Sequence, residues 1–329
     1  MKNLILLIFL FSFASLDAAI IYVTSNANGN GTSWADATDL QSALQMSERG
    51  DEIWVAGGTY FPTTGTDRNA SFEIKDGIKV YGGFSGRETS EAQRNVLANL
   101  TVLSGEIASS SVDDNSYNVV YTKNVSAETV VDGFTIKGGA ANATVNGEGN
   151  RQRCGGGWFN TGADSHSGSN PTIINCTFVA NYAREGAGLY NFGKNGICQP
   201  TLANCTFNNN KADLDGGAIF NNGQGGESSP RITNCSFSNN EATYGGAILN
   251  NAAYNGKCNP QVIDCTFAAN VSYLRGGSLY NIAQGGGTCE PIVQGCDFDR
   301  NHATVGKKTY LSPNNSTKKA KGKSIITVK

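Results

Sequence analysis

The sequence predicts an all-β fold, a parallel β-helix in which each repeat of the chain forms one coil. A short motif with one cysteine and one phenylalanine recurs five times between residues 170 and 310. Its period lies within the range of about 20–50 residues that is typical of solenoids. The apolar segments between these motifs are short and contain β-branched and aromatic residues. They are bounded by Asn, Gly and Pro, as strands are. No unit contains a segment with helical periodicity.

The repeat is defined by cysteines that lie 29, 30, 30 and 31 residues apart. They are Cys176, Cys205, Cys235, Cys265 and Cys296. A phenylalanine stands two residues after each of them, and an asparagine stands three residues after each phenylalanine. Because the unit lengths are nearly equal, we expect equivalent residues to stack from coil to coil at the strand spacing of ~4.8 Å.

The spacing of these residues assigns them to faces. Alternate residues of a strand share a face, so each cysteine and its phenylalanine are expected to point inward together. The aliphatic residue three positions before each cysteine has the opposite parity, and a bend or bulge is needed to turn it inward as well. The asparagines fit turns, where their stacked side-chain amides can hydrogen-bond between coils.

A second strand in each unit carries one large apolar column and, beside it, a mainly aromatic one. The first column is Trp158, Leu189, Ile219, Ile248 and Leu279, and we expect it to point inward. The second column is Phe159, Tyr190, Phe220, Leu249 and Tyr280, and parity points it outward. An exposed aromatic row would mark a surface that binds sugars or a protein partner. Alternatively, the Gly-rich loops at 192–199, 222–229, 251–259 and 282–290 fold back over the row.

Two short motifs resemble a known repeat. Phe207-Asn208-Asn209-Asn210 with Gly216-Gly217-Ala218-Ile219, and the equivalent residues 237–240 with 245–248, resemble the repeat pair of the chlamydial polymorphic outer membrane proteins. The pattern is similar to the wider pectin-lyase-like superfamily over about residues 126–310. The resemblance implies a single-stranded, right-handed parallel β-helix, an architecture that hosts lyases, hydrolases and adhesins alike.

The N-terminal region predicts export and an α-helical cap. Residues 1–19 have a basic start, a short apolar run and small residues before the expected cleavage site, which is the pattern of a signal peptide. Residues 34–48 are expected to form a helix that covers the open hydrophobic end of the first coil. Asp39 lies in a capping-box pattern, and Leu40, Ala43 and Leu44 form an apolar stripe. The following strand and turn resemble the start of secreted Bacteroidetes β-helix proteins.

The C-terminal residues predict a cap rather than another coil. Lys307 and Lys308 replace small residues of the repeat, and residues 325–328 are expected to form a short strand across the open end. The domains expected from these features are a signal peptide at 1–19, an N-terminal cap with irregular first coils at 20–125, regular repeats at 126–310, and a C-terminal cap with a basic tail at 311–329.

The composition excludes some partners and leaves others open. The formal net charge of −2 lacks the basic excess of nucleic-acid-binding proteins, so nucleic acid is not an expected partner. No segment of the mature chain is expected to span a membrane, and the protein is expected to be a monomer. Nine cysteines are present. The five in the repeat are expected to stay reduced, whereas Cys258 and Cys289 lie in consecutive coils and are the best candidates for a disulfide.

Function is predicted at the level of class. Lys211, Asp213 and Asp215 form a local polar patch that could belong to a sugar site. The leading hypothesis is an exported structural or adhesive module that binds extracellular polysaccharide or a surface protein along one coil face. The alternative is a polysaccharide lyase or glycoside hydrolase. No metal and no cofactor are expected, except that resemblance to the lyases implies calcium under that alternative.

Overall fold

The chain is an all-β parallel solenoid of about nine turns, with very little helix, in a computed structural model. The structure describes residues 18–107, 109, 111–311 and 325–328, so most of the expected signal peptide lies outside the described residues. Within the described part, no helix is long and apolar enough to cross a membrane.

The strands form four stacks that run along the solenoid. Stack 1 consists of Ile20–Val23, Glu52–Ala56, Lys79–Phe84, Val130–Asp132, Thr172–Ile174, Thr201–Ala203, Arg231–Thr233, Gln261–Ile263, Ile292–Asp299 and Ile325–Val328. Stack 2 consists of Gly58–Tyr60, Thr101–Ser104, Phe134–Lys137, Thr177–Val179, Thr206–Asn208, Ser236–Ser238, Thr266–Ala268 and the second half of Ile292–Asp299. Because this last strand runs through both stacks, the two count as one 17-stranded sheet.

The other two stacks complete each coil. Stack 3 consists of Ala140–Ala141, Tyr182–Glu185, Lys211–Asp215, Glu241–Tyr244 and Val271–Arg275. Stack 4 consists of Phe72–Glu73, Val120–Lys123, Trp158–Thr161, Leu189–Phe192, Ile219–Asn222, Ile248–Asn251, Leu279–Ile282 and Thr309–Leu311. Each strand pairs in parallel with its equivalent in the next coil.

The predicted phenylalanine ladder is confirmed. Phe178, Phe207, Phe237 and Phe267 are buried, and the half-buried Phe298 packs at the end of the row. Their ring centroids are 4.5, 5.0, 4.8 and 5.0 Å apart along the ladder, and the rings stack nearly parallel. The five column cysteines lie beside them as buried free thiols. Burial in these apolar surroundings contributes to raising the pKa of Cys176 to about 12.

The expected bend before each cysteine is also present. Asn175, Asn204, Asn234 and Asp264 have φ values of 51°, 54°, 53° and 51°, in the left-handed region that Asn and Asp tolerate. Gly295 takes the same conformation in the last copy, with φ of 65°. This turn reverses the parity, so the aliphatic residues of stack 1 point into the same core as the phenylalanines.

Buried asparagines hold successive coils together, as expected. Asn210 Nδ2 donates to the Phe178 carbonyl at 2.9 Å and to Asn240 Oδ1 at 3.0 Å. The same contacts continue along the ladder Asn181, Asn210, Asn240, Asn270 and Asn301. A second buried ladder runs through stack 4 at Asn160, Asn191, Asn221, Asn250 and Asn281.

The N-terminal helix is shorter than the predicted 34–48. It comprises Leu40–Met46, after a separate 3₁₀ turn at Trp34–Asp36. Thr38 is responsible for the interruption, because its backbone pairs with strand Ile20–Val23 and cannot join a helix. The Asp39 side chain accepts from Ser42 N at 3.0 Å and caps the helix. The apolar stripe of the helix lies in the main core.

The chain continues the solenoid after the two lysines. Strand Thr309–Leu311 pairs with Leu279–Asn281, so Lys307 and Lys308 do not interrupt the growth of stack 4 at this point. The strand predicted at 325–328 is confirmed. It pairs in parallel with the start of Ile292–Asp299 as a last rung of stack 1. The expected basic tail lies mostly outside the described residues.

Candidate functional site

The aromatic column of stack 4 is not exposed, so the prediction of an open aromatic row is wrong. Phe159, Tyr190, Phe220, Leu249 and Tyr280 are between 0% and 6% exposed and form a cluster separate from the main core. Tyr244 stacks on Tyr280 with ring centroids 5.5 Å apart. Cys154 belongs to the same cluster, and Phe192 packs against it. These residues point away from the core, as parity predicted, but protein covers them.

Much of this cover comes from the insertion at residues 142–155. Gly149 approaches the Phe192 ring so closely that a Cβ there would lie 2.2 Å from Phe192 Cζ. Arg151 places its guanidinium 4.4 Å from the centre of the Tyr121 ring. Glu148 accepts from Lys194 Nζ at 2.6 Å and from Asn222 Nδ2 at 3.0 Å. Protein therefore covers the row, as the alternative expected. The cover comes from this insertion, with Phe192 and Ile282 at the starts of two Gly-rich loops also packing on the cluster.

The outer face of stack 3 carries the exposed polar and aromatic side chains. Its inward positions are the buried small residues Ala183, Ala212, Ala242 and Ser272. Residues on either side of them therefore point outward. We call this surface the stack 3 face, and it comprises Tyr182, Arg184, Lys211, Asp213, Glu241, Thr243 and Tyr273. It brings together the predicted residues Lys211 and Asp213.

Hydrogen bonds link the charged groups of the stack 3 face to its tyrosines. Tyr182 Oη donates to Asp213 Oδ1 at 2.6 Å, and Lys211 Nζ lies 3.1 Å from Glu241 Oε1. Tyr273 Oη also donates to Glu241, and Tyr273 is 57% exposed. This hydrogen bond is the main cause of the lowered pKa of Glu241. The face thus brings together two carboxyl groups, an ammonium group and an exposed ring.

Asp215 does not lie on the stack 3 face. Lys211, Asp213 and Asp215 have the same parity in the sequence, but Leu214 is an extra residue that shifts the register of this strand. Asp215 is consequently half-buried and in register with Glu185 of the preceding coil. The three residues predicted as one patch therefore divide between two sites.

Glu185 and Asp215 form an acid pair under the 142–155 insertion. Arg153 Nη2 donates to Glu185 Oε1 at 2.6 Å, and Cys154 Sγ donates to Glu185 Oε2 at 3.6 Å. Burial, and next the charge of Glu185, raise the pKa of Asp215 to about 7. One carboxyl that titrates near neutral pH beside another in an ion pair can act as an acid–base couple. The Glu185 side chain is only 10% exposed, so its access is narrow.

Sequence reasoning did not identify this pair. Glu185, Asp215, Tyr244 and Arg275 stand at one position of the repeat, and only the first two of these four residues are acids. The signal was nevertheless present, since two acids at the same position of consecutive coils must be neighbours. Arg153 could not be placed, because it belongs to an insertion outside the repeat.

Cys258 and Cys289 are neighbours but are not bonded. Both are buried free thiols in one small cluster with Ala252 and Ala283, and the expected disulfide is absent from the structure. Cys258 Sγ instead donates to the Ser228 carbonyl at 2.8 Å. Among the described residues, no group of three or more His, Cys, Asp or Glu side chains could hold a metal ion.

Comparison with known proteins agrees with the fold. The Chlamydia polymorphic membrane protein repeat matches residues 204–222 and 234–251, which contain the motifs singled out in the sequence. The crystal structure of pectate lyase Pel9A matches with a TM-score of 0.51 and 13% identity, over 94% of this chain and 82% of that one. An alginate lyase from Paenibacillus sp. str. FPU-7 aligns at 13% identity, over 91% and 99% of the chains, with a TM-score of only 0.29.

No curated protein matches the chain by sequence. The Pel9A match and the parallel solenoid agree on a parallel β-helix fold, and two segments of the chain match the polymorphic membrane protein repeat. At this level of identity the structural likeness establishes the fold alone.

Proposed function

We propose that this protein is an exported β-helix module that binds extracellular polysaccharide along the stack 3 face. The observation that supports the proposal is the exposed ring of Tyr273 beside the hydrogen-bonded groups of Glu241 and Lys211. Sugars present hydroxyl groups and apolar C–H faces, so they are bound by charged or polar side chains together with aromatic rings. Equivalent positions recur at the coil spacing of ~4.8 Å, which suits a polymer with a repeating structure.

Localisation at the cell surface or outside the cell is part of the same proposal. The sequence of residues 1–19 has the pattern of a signal peptide, and the matched repeat is described from a membrane protein family. A surface protein remains the other class of partner. A solution measurement of mass should give a monomer, as expected from the sequence.

A panel of soluble polysaccharides, scored for both binding and cleavage, tests this proposal. Tyr273→Ala and Asp213→Asn should each weaken polysaccharide binding, because they remove groups of the stack 3 face. Gln261→Ala changes an exposed strand residue on stack 1 and serves as the control. The proposal fails if the purified protein binds no polysaccharide, or if the control weakens binding as much as the two test variants do.

A glycoside hydrolase is the second candidate, and the acid pair favours it. Glycosidases use two carboxyl groups, one as an acid and the other as a base or nucleophile. Asp215 and Glu185 could take these roles if a glycan reaches them beside the 142–155 insertion. Hydrolysis would release reducing ends without unsaturated sugars, and Glu185→Gln should abolish it. Unsaturated products that disappear with a calcium chelator would indicate the lyase alternative instead.

We also propose that helix Leu40–Met46 closes the N-terminal end of a right-handed solenoid. Leu40 and Leu44 are buried in the main core beside the first strand of stack 1. Replacing both with serine would expose the end of the core and should promote association. Light scattering of the double variant tests this role, with Gln45→Ser in the same helix as the control.

A further inference from the structure

A groove of about 360 Å³ lies on the outside of stack 2, apart from the stack 3 face and the acid pair. Its floor consists of outward side chains from three coils, and its wall consists of apolar residues from the segment at 94–100. The lining residues are Val96, Leu97, Leu100, Thr101, Gly133, Phe134, Thr135, Asn175, Thr177, Asn204 and Thr206.

Three hydroxyl groups form the floor in an ordered row. Thr135, Thr177 and Thr206 are in register on successive strands of stack 2, and each is half-buried. Within the described part of the chain, none of their hydroxyls has a hydrogen-bond partner. Asn175 Nδ2 donates to Asp132 Oδ1 at 2.8 Å, and Asn204 Nδ2 donates to Asn175 Oδ1 at 3.2 Å. The floor thus offers a hydroxyl group at each of its three coils and an amide group at two of them.

The wall is held firmly in place. Arg94 Nη2 lies 2.6 Å from Asp132 Oδ2, and both side chains are largely buried. Val96 packs so closely on Gly133 that a Cβ there would lie 2.8 Å from Val96 Cγ2. On this anchored segment Leu97 is 89% exposed and Leu100 is 59% exposed. Two large apolar side chains held in water in this way indicate a surface that a ligand covers.

The charge of the groove restricts the ligand. None of the lining residues is charged. The carboxylate of Asp132, which accepts from the lining residue Asn175, is already paired with Arg94. A uronate polymer would therefore find no cation among the lining residues. An extended peptide cannot add to this sheet, because the floor strands already pair on both sides in stack 2. Hydroxyl-rich ligands with apolar faces remain.

We propose that this groove binds a neutral oligosaccharide segment, with its hydroxyls on the threonine and asparagine row and its C–H faces on Leu97 and Leu100. The three coils of the floor span about 10 Å at the strand spacing, enough for two or three sugar rings. This site is independent of the proposed function, because it shares no residue with the stack 3 face.

Calorimetric titration with cellotetraose, xylotetraose and mannotetraose, against tetragalacturonate, tests the proposal. At least one neutral tetrasaccharide should bind, and tetragalacturonate should bind at least tenfold more weakly. The double variant Thr177→Val/Thr206→Val removes two hydroxyls at nearly constant shape and should weaken binding by about fivefold or more. Thr266→Val changes the same column beyond the groove and should leave the affinity unchanged.

A second variant separates binding from folding. Leu97→Ser changes a side chain that is almost fully exposed, so it should keep the wild-type melting temperature and still weaken neutral-sugar binding. The proposal is overturned if no neutral tetrasaccharide binds, or if Leu97→Ser and the threonine double variant bind as wild type does. Tyr273→Ala should not alter this binding. Loss of sugar binding through the stack 3 face is therefore detected by Tyr273→Ala, and loss of binding in the groove by Leu97→Ser and the threonine double variant.

Discussion

At the scale of single residues, identical side chains stabilise one another because they occupy the same position in successive coils. The rings of the phenylalanine ladder stack at about 5 Å, and each amide of the asparagine ladders bonds to the next. The sequence predicted both ladders, because a repeated residue in a coil of constant length has to meet its own copies. Their inward direction followed from the parity between each cysteine and its phenylalanine.

Replacing one ring inside the ladder should be costly. Phe237→Ala removes a fully buried side chain that stacks on Phe207 and Phe267, so the free energy of unfolding should fall by about 3–5 kcal/mol. Phe298→Ala is the matched control, because this ring is half-buried and, among the described rings, stacks on Phe267 alone. Urea unfolding followed by circular dichroism measures both. Equal losses for the two variants would contradict the packing described for the ladder.

Asp215 should make stability depend on pH in a specific direction. Its pKa is about 7 in the folded protein, above the value of about 3.9 in an unfolded chain. As the pH rises from about 4 to 7, the unfolded chain loses this proton while the folded protein keeps it. The contribution of Asp215 to the free energy of unfolding therefore decreases over this range and stays unfavourable above it.

Asp215→Asn should remove this contribution. Relative to wild type, the variant should gain stability as the pH is raised, with an advantage of at least about 1 kcal/mol at pH 8. Urea unfolding at several pH values between 4 and 8 measures the difference. Gln261→Ala, which removes no titratable group, is the control and should show no such trend. A pH-independent difference between Asp215→Asn and wild type would contradict the raised pKa.

At the scale of elements, the strands were predictable and the departures from the repeat were not. Leu214 is one extra residue, and a pattern of alternating residues does not show where a strand will absorb it. The 142–155 insertion has no repeat to align with, so its position over Phe159 and Tyr190 depends on tertiary contacts such as Glu148 with Asn222. Helix Leu40–Met46 begins late because backbone pairing at Thr38 outweighs local helix preference.

The loop thiols lead to a prediction about oxidation. Cys258 and Cys289 are free thiols in the structure but lie in one small cluster, so we expect this pair to bond in an oxidising compartment. The column cysteines should stay reduced, because they are buried in the core and burial contributes to a raised pKa for several of them. The native protein is alkylated under denaturing conditions, and mass mapping then identifies which cysteines are bonded to each other. A bond between Cys205 and Cys235 would contradict this assignment.

At the scale of the whole molecule, the open C-terminal end should determine solubility. Strand Ile325–Val328 pairs with the last full strand of stack 1 and is the final rung there. Deleting residues 312–329 should leave a folded protein whose unpaired strand edge promotes association. Size-exclusion chromatography with light scattering measures the mass. If the truncated protein stays monomeric at high concentration, the C-terminal residues do not act as a cap.

The fold could be predicted from the sequence because its period is a property of the whole chain, which local exceptions do not hide. The candidate sites could be predicted only in part. Lys211 and Asp213 were assigned correctly to one surface, but Asp215 and the aromatic column were not, because burial of an outward residue depends on what lies over it. The threonine row was not singled out, since threonine on the outside of a strand is unremarkable until the segment bearing Leu97 encloses it.

The coil-to-coil pairing has a consequence for how such a protein can change over time. Each regular coil bonds only to the coils on either side of it, and its ladders are the same above and below. Excising residues 205–234 would join Asn204 to Cys235 with every column still aligned. Loss or duplication of one gene segment would therefore alter the number of rungs on the stack 3 face without a new interface. If that face binds a repetitive polymer, as we propose, the valency and with it the avidity would change stepwise with the number of coils.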